Sequence, residues 1–294
     1  MSAAPSLRSR SEALGQALPP LLAAAEHLAV GVVLGDHGRR RAGMGDEFWQ
    51  YRPAHPGDSA RMIDWRRSAR SDAHFVRERE WQAAQAVTLW VDGARAMGFS
   101  GAGTRPPKAD RARLLALALA VLLVRGGERV GLIGTDAARP LTGEAQLNRM
   151  GLALSKSAAD RPDFGAPPAA PFARGGKAIF LSDFLGPMAA IEPALKRAAD
   201  AGVGGALVQV LDPAEEAFPF DGRMIFESVG RGVSFETHRA RGLADAYRAR
   251  LAERRDQLSA LARRSGWRFE VHHTDVSPRR ALIWLYGAVS GGAI

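Results

Sequence analysis

Short apolar runs alternate with longer amphipathic segments from residue 87 to the end of the chain. The short runs are rich in β-branched and aromatic residues, which is typical of buried strands, and they occupy residues 87–91, 129–134, 177–181, 205–211 and 267–272. The longer segments have helical length and occupy residues 108–125, 144–156, 189–201, 240–264 and 277–289. This alternation predicts an α/β fold, in which a mostly parallel sheet carries helices on both faces.

The rest of the chain does not follow this alternation. Residues 223–226 and 233–237 predict a small β-hairpin, inserted at about 213–238. We therefore predict three parts. They are an N-terminal extension at 1–34 that is partly disordered and then helical, a segment at 35–85 packed on the sheet, and the α/β domain at 86–294.

Acidic residues follow four of the predicted strands. Asp92, Asp183 and Asp212 end three of them, and Asp136 lies just past a fourth. Because ligands of open α/β sheets bind beyond the carboxyl ends of the strands, a site is expected here. Carboxylates are ligands for Mg²⁺, which makes Asp92 and Asp183 candidate metal ligands. The loop after Asp92 supplies no hydroxyl, so the alternative is that these acids cap helices or accept hydrogen bonds from loop amides.

Composition narrows the possible chemistry. The chain has no cysteine, which excludes disulfides, thiolate metal sites and thiol nucleophiles and fits a reducing compartment. The formal net charge of +9 comes mainly from arginine and permits nucleic-acid binding through residues 240–264, although a solvated helix face is the favoured interpretation. The longest apolar run, at 114–124, is too short to cross a bilayer. We expect a cytoplasmic protein that meets the membrane only through partners.

The stretch from residue 43 to residue 80 differs in composition from the rest of the chain. It places glycines, prolines, acids and arginines beside large aromatic residues, with no helical or strand period. The near balance of acids and arginines favours pairing within the stretch over a phosphate-binding groove. We expect Asp64, Trp65 and Arg70 at the centre of a network, and Asp64→Ala to leave a buried arginine unpaired at a cost of about 2–4 kcal/mol. The candidate network residues are Glu47, Arg52, Asp58, Arg61, Asp64, Trp65 and Arg70.

The same stretch resembles the signature of the DUF58 family. The matching residues are Gly43-x-Gly45-x-Glu47-Phe48, Tyr51-Arg52, Pro56-Gly57-Asp58, Arg61-x-Ile63-Asp64-Trp65 and Ser68-Ala69-Arg70, with Arg129-Val130-Gly131-Leu132 and Leu181-Ser182-Asp183-Phe184 further on. The resemblance implies a fold similar to the von Willebrand factor A domain, which is Rossmann-like. In that fold the first strand ends in Asp-x-Ser-x-Ser, which binds Mg²⁺ and a partner's acidic residue together with a threonine and a further aspartate. This chain has the degenerate form Asp92-Gly93-Ala94-Arg95-Ala96, in which alanine replaces both serines and Arg95 adds a positive charge that opposes a cation.

The resemblance also implies a function. Relatives are typically found with MoxR-type AAA+ ATPases and other A-domain proteins, and they are thought to assist the assembly or maturation of protein complexes. We therefore expect a non-enzymatic accessory protein that needs no cofactor, has a MoxR-type ATPase as its partner and does not bind nucleic acid. Two alternatives stay open: a metal-dependent hydrolase that uses the strand-end carboxylates with Mg²⁺, and a basic nucleic-acid-binding protein.

Overall fold

The computed structural model describes residues 20–32, 39–43, 47–56, 58–70, 73–101, 105–156, 161–227 and 234–290. The chain divides into two compact units. The smaller unit is Gly35–Gln85, and the larger unit joins Met1–Leu34 to Ala86–Ile294. The larger unit is thus built from two separate pieces of the chain.

The helices and strands of the described residues follow one another in chain order. They are α1 (Pro20–Val30), β1 (Arg39–Gly43), β2 (Glu47–Pro53), α2 (Trp65–Ser68), β3 (Phe75–Ala83), β4 (Ala86–Val91), α3 (Lys108–Arg125), β5 (Arg129–Leu132), α4 (Glu144–Ser155), β6 (Lys177–Ser182), α5 (Met188–Asp200), β7 (Gly204–Leu211), α6 (Pro213–Ala217), β8 (Met224–Glu227), β9 (Ser234–Thr237), α7 (Ala244–Arg264), β10 (Arg268–His273) and α8 (Pro278–Ser290). Short 3-10 turns lie at Ala60–Met62, Arg95–Gly98 and Ala240–Leu243. The strands and helices predicted beyond residue 86 are confirmed, with small differences at their ends.

The larger unit is organised around a five-stranded parallel sheet with the order β10-β7-β6-β4-β5. Its central strands are apolar on both faces: in β6, Ile179 and Leu181 belong to one core, while Ala178 and Phe180 belong to the other. This is why these strands appear in the sequence as continuous apolar runs. The chain passes from β4 to β5 on one side and then to β6 on the other side, so the β4–β6 junction is the topological switch point of the sheet.

Helices cover both faces of this sheet. The first layer contains α1, α3, α4 and α8, and the second contains α5 and α7. Inside the first layer lies α3, whose residues 115–123 are at most 1% exposed. Because burying one leucine side chain contributes about 1.5–3 kcal/mol, α3 is a principal source of the unit's stability. The predicted α/β fold, with a parallel sheet between helical layers, is confirmed.

Two details of the larger unit differ from the sequence prediction. The helix α6 was not predicted, because a single turn is too short to show a period; Asp212 caps it and Pro213 begins it. The helix predicted from residue 240 starts as a 3-10 turn and becomes α-helical only at Ala244. The predicted hairpin is confirmed, since β8 and β9 pair antiparallel with Phe226 opposite Phe235.

The smaller unit contains an antiparallel three-stranded sheet with the order β1-β3-β2. The expectation that residues 43–80 lack a strand period is therefore wrong for β2 and β3. Charged residues occupy the consecutive positions 77–80 of β3, which hides the period of two in the sequence. A register shift between Phe48 and Gln50 interrupts the alternation of β2 as well. This sheet forms because β1 and β2 both pair with β3, which lies further along the chain, and these pairings leave no local sequence signal.

Candidate functional site

Buried polar side chains gather where the strands of the parallel sheet end. Asp92, Asp183 and Asp212 come directly after β4, β6 and β7, and each is at most 1% exposed. Asp136, just past β5, is exposed instead. We call the following residues the strand-end cluster: Asp92, Lys108, Asp183, Asp212 and Glu215. Because a buried charge is expensive without a partner, the contacts of each member decide what this cluster can do.

Both carboxylate oxygens of Asp92 accept hydrogen bonds from the protein itself. Oδ1 accepts from the Ala94 N–H at 2.8 Å, and Oδ2 accepts from the Ser182 hydroxyl at 2.6 Å. Gly165 lies directly over the carboxylate, because a Cβ on this residue would come within 2.0 Å of Oδ1. Burial raises the pKa of the Asp92 carboxyl, and the hydrogen bond from Ser182 opposes that effect. Asp92 therefore anchors the loop that follows β4.

The loop that contains Gly165 also covers the segment after Asp92. The carbonyl groups of Pro162 and Asp163 accept hydrogen bonds from the N–H groups of Arg95 and Ala96, at 2.9 and 3.0 Å. The Arg95 guanidinium lies 3.8 Å from the Asp163 carboxylate. Arg95, expected from the sequence to oppose a cation, is thus paired with an acid of this covering loop.

Lys108, the first residue of α3, places an ammonium group between two carboxylates. Nζ donates to Asp183 Oδ2 at 2.8 Å and to Glu215 Oε1 at 2.5 Å, and the side chain is only 1% exposed. The ammonium also lies 5.7 Å from the centre of the Phe99 ring. Burial raises the pKa of the Glu215 carboxyl, and Lys108 opposes that effect. The chain thereby supplies its own cation at this edge of the sheet.

Asp212 forms a second ion pair beside the first. The Arg105 guanidinium donates two hydrogen bonds to it, from Nε to Oδ2 at 3.2 Å and from Nη2 to Oδ1 at 3.0 Å. Asp212 also caps α6 through the Ala214 N–H, and Glu215 closes this capping box by accepting from the Asp212 N–H. Burial acts to raise the pKa of Asp212, but these donors outweigh it and the pKa is lowered. The Arg105–Asp212 and Lys108–Glu215 ion pairs and the Asp212 helix cap therefore all lie at α6 or its N-cap.

A third polar group links α6, α7 and β10. The Glu216 carboxylate accepts a hydrogen bond from Arg255 Nη1 at 2.5 Å and contacts His273 Nε2. The hydrogen bond from Arg255 lowers the pKa of Glu216 to about 2. Arg254, one position before, donates to the Gly186 carbonyl at 2.8 Å. Two arginines of the basic helix α7 are therefore engaged within the unit.

The donor set of the strand-end cluster does not fit a divalent cation. Mg²⁺ or Ca²⁺ needs oxygen ligands at about 2.0–2.6 Å. Asp92 gives both of its oxygens to protein donors, Asp183 gives Oδ2 to Lys108, and Ala94 and Ala96 have no side-chain oxygen. Among the residues that the structure describes, no group of three or more His, Cys, Asp or Glu side chains could hold a metal ion. This arrangement gives no support to a metal-dependent hydrolase.

The residues expected to form a network in the smaller unit are spread over several elements. Glu47 and Arg52 lie on β2, and their side chains fall outside the described part of the structure. Arg61, on the 3-10 turn, and Arg70, just after α2, are exposed. Of the three residues expected at the centre of the network, Trp65 and Arg70 are exposed and Asp64 is half-buried.

Asp58 and Asp64 each stabilise a local turn. Asp58 accepts a hydrogen bond from the His55 N–H at 2.7 Å. Asp64 is the N-cap of α2: Oδ1 accepts from the Arg67 N–H at 3.0 Å, and Oδ2 accepts from the Tyr51 hydroxyl at 3.2 Å. The described arginines nearby, at positions 61, 66, 67 and 70, are all exposed. None of these four is the buried arginine expected beside Asp64, and the helix cap by itself is worth about 1 kcal/mol.

Trp65 lies on an exposed aromatic surface of the smaller unit. Its side chain is 57% exposed, and its ring meets the His74 ring edge-on at 5.5 Å between centroids. The Arg67 guanidinium lies 5.6 Å from the ring centres of both Tyr51 and Phe75. Trp65 and Arg67 lie two positions apart on α2, and residues at this spacing do not face one another, so the two sets of ring contacts are separate. We call Trp65 and His74 the Trp65 surface.

Sequence reasoning missed two members of the strand-end cluster, Lys108 and Glu215, and also Arg105, the partner of Asp212. Lys108 pairs with Asp183 and Glu215, which lie 75 and 107 positions further along the chain. No local sequence pattern can therefore indicate these contacts. One signal was available: Lys108 is one of four lysines in a chain that otherwise uses arginine for its positive charge. A compact ammonium suits an enclosed position better than a forked guanidinium does.

A parallel sheet between two helical layers, with its polar edge at the topological switch point, defines a Rossmann-like α/β protein of the von Willebrand factor A type. The chain belongs to the family described as Protein of unknown function DUF58, whose model matches residues 50–257. An uncharacterized protein of Mycobacterium tuberculosis is 31% identical over 248 residues, which cover 77% of this chain and 74% of that protein. An uncharacterized protein of Mycobacterium bovis matches to the same extent.

Two solved structures are more distantly similar. An aerotolerance-related membrane protein from Bacteroides fragilis is 14% identical with a TM-score of 0.39, covering 70% of this chain and 98% of that chain. The conserved hypothetical protein BatB from Bacteroides thetaiotaomicron is 13% identical with a TM-score of 0.37, covering 71% of this chain and 100% of that chain. Within the described ranges of the present chain, each helix is too short or too polar to cross a membrane.

Proposed function

We propose that this protein is a non-enzymatic accessory factor that binds a MoxR-type AAA+ ATPase and assists the assembly or maturation of a protein complex. Two observations support this role: membership of the DUF58 family, and the contrast between the buried strand-end cluster and the exposed Trp65 surface. An ATPase partner needs ATP, so the proposal places the protein in the cytoplasm, at the membrane only through its partners.

The strand-end cluster favours binding over catalysis. A general acid or base must come within hydrogen-bonding distance of its substrate. Lys108, Asp183 and Asp212 are at most 1% exposed, and each is already bonded to a protein partner. These groups hold loops and helices together at the edge of the sheet.

The Trp65 surface carries the proposal. Tryptophan, tyrosine and arginine are the residues that most often dominate the binding energy of protein interfaces. Trp65 and Tyr51 are 57% and 39% exposed, and Met62 on the neighbouring 3-10 turn is 40% exposed. The Asp64 cap and the contact of Arg67 with the Tyr51 ring stabilise α2, which carries Trp65, and this preorganisation lowers the entropy cost of binding. We infer that a partner protein buries the indole of Trp65.

The test is capture of a MoxR-type ATPase from the same organism, with full-length wild-type protein and Trp65→Ala. Loss of an interface hot spot costs at least about 2 kcal/mol, so Trp65→Ala should weaken binding roughly thirtyfold without lowering the melting temperature. Phe235→Ala is the matched control, because Phe235 is 52% exposed on the hairpin of the larger unit. Equal binding by all three proteins would remove Trp65 from the interface, and no binding by the wild type would refute the ATPase as partner.

A further inference from the structure

Lys108 lies between the carboxylates of Asp183 and Glu215, beyond the carboxyl ends of the strands, which is the edge at which open α/β sheets bind ligands. Its two partners come from different parts of the chain, Asp183 directly after β6 and Glu215 from α6. Each carboxylate divides its oxygens in the same way. Asp183 gives Oδ1 to the Leu185 N–H and Oδ2 to Lys108, while Glu215 gives Oε2 to the Asp212 N–H and Oε1 to Lys108.

We propose that the Lys108 ammonium is the resident cation of the strand-end cluster and replaces a divalent metal ion there. The ammonium cross-links β6, α6 and the first turn of α3, as a bound cation would. It is covalently part of the chain, so the cluster forms without any metal in solution. Partner binding should then also be independent of metal, and this expectation alone rests on the proposed function.

Charge explains why a cation is needed at this point. Asp183 and Glu215 approach the same Nζ within 2.8 Å, and Asp92 is close enough for its pKa to respond to both Asp183 and Lys108. Without a cation, like charges in a buried site repel one another and lack solvation. The N-terminal end of α3 is itself slightly positive and disfavours an ammonium, so the two carboxylates must be what holds Lys108 there.

The proposal makes an unusual prediction for Lys108→Ala. Removing the ammonium leaves two facing carboxylate oxygens and room for water where the side chain lay. Mn²⁺ and Mg²⁺ bind through one or two carboxylates with water completing the coordination shell. The variant should therefore acquire a divalent-cation site that the wild type does not have.

The experiment uses the full chain, stripped with EDTA, and measures the melting temperature and the heat of titration with MnCl₂ and MgCl₂. The wild type and the exposed-lysine control Lys196→Ala should show no change with either metal. Lys108→Ala should melt lower than the wild type, recover several degrees with Mn²⁺, and lose that recovery in EDTA. The double variant Lys108→Ala/Glu215→Gln, which lacks one of the two carboxylates, should lose the metal response.

Three results would overturn the proposal. One is binding of Mn²⁺ or Mg²⁺ to the wild type at one site, abolished by Asp183→Asn. The second is a Lys108→Ala protein whose stability is indifferent to metal. The third is a Lys108→Ala protein that fails to fold with Mn²⁺ as well as without it. Capture of the partner, with and without EDTA, tests the proposed function and not the role of Lys108. Failure of the wild type to bind the partner in any buffer would refute the proposed function, while the metal titrations would still test the role of Lys108.

Discussion

Replacement of Lys108 by methionine isolates the charge of the buried ammonium from its volume. Methionine is unbranched and flexible, so it can follow the path of the lysine stem, and the main loss is the cation. Asp183 Oδ2 and Glu215 Oε1 then lose donors at 2.8 and 2.5 Å while staying buried. Breaking a buried ion pair by removing one partner costs about 3–5 kcal/mol, a large part of the roughly 5–15 kcal/mol that stabilises a folded domain.

The loss of stability in Lys108→Met should depend on pH, and this dependence distinguishes a loss of charge from a loss of packing. Burial raises the pKa of Glu215 and Lys108 opposes this, so the pKa rises further in Lys108→Met. An acid whose pKa is raised by folding contributes stability below its unfolded pKa and loses that contribution as the pH rises through its folded pKa. The stability difference between wild type and variant should therefore be largest near neutral pH and should shrink as the pH falls towards the ordinary value of 4.5 for Glu215.

Urea unfolding of both proteins between neutral and acidic pH measures this free-energy difference directly, and thermal unfolding gives the corresponding change in melting temperature. At neutral pH the variant should melt about 6–20 °C lower, from a shift of about 2–4 °C per kcal/mol in a chain of this size. Lys196→Met, at an exposed position of α5, is the matched control and should behave as the wild type. A loss below about 1 kcal/mol, or a loss that does not change with pH, would refute the claim that Lys108 neutralises buried carboxylates.

Three further predictions concern other parts of the structure. Gly165→Ala should destabilise the protein by about 1–3 kcal/mol, because its Cβ would come within 2.0 Å of Asp92 Oδ1; an unchanged urea midpoint would contradict the close approach of this loop. Asp64→Ala should cost at least about 1 kcal/mol through loss of the α2 cap, Asp64→Asn should keep most of that cap, and an unchanged urea midpoint for Asp64→Ala would contradict the capping role. Glu216, whose pKa is lowered to about 2, contributes stability above its ordinary value of 4.5 that is lost as the pH falls towards 2. Acid unfolding of Glu216→Gln should thus be less steep over this interval than that of the wild type, and identical curves would argue against its pairing with Arg255.

Sequence alone determined the succession of strands and helices in the larger unit. Continuous apolar runs such as 87–91 and 177–181 arise because both faces of β4 and β6 are buried, and this signal is local. The same holds for Lys108–Arg125, whose apolar side chains extend all round the helix because it lies inside a layer. The signature between residues 43 and 80 identified the family without any structural information.

Only the tertiary structure decided which polar residues meet. The strand order β10-β7-β6-β4-β5 brings Lys108, Asp183 and Glu215 to one edge, although they are far apart in the chain. It also decided between the two interpretations of Asp92, which accepts a hydrogen bond from the Ala94 N–H under Gly165, and it placed Asp64 at a helix cap. Local patterns record which face of an element is apolar, but a charge is stabilised by whatever the fold places beside it. That pairing depends on contacts over long sequence separations, which no single stretch of this chain contains.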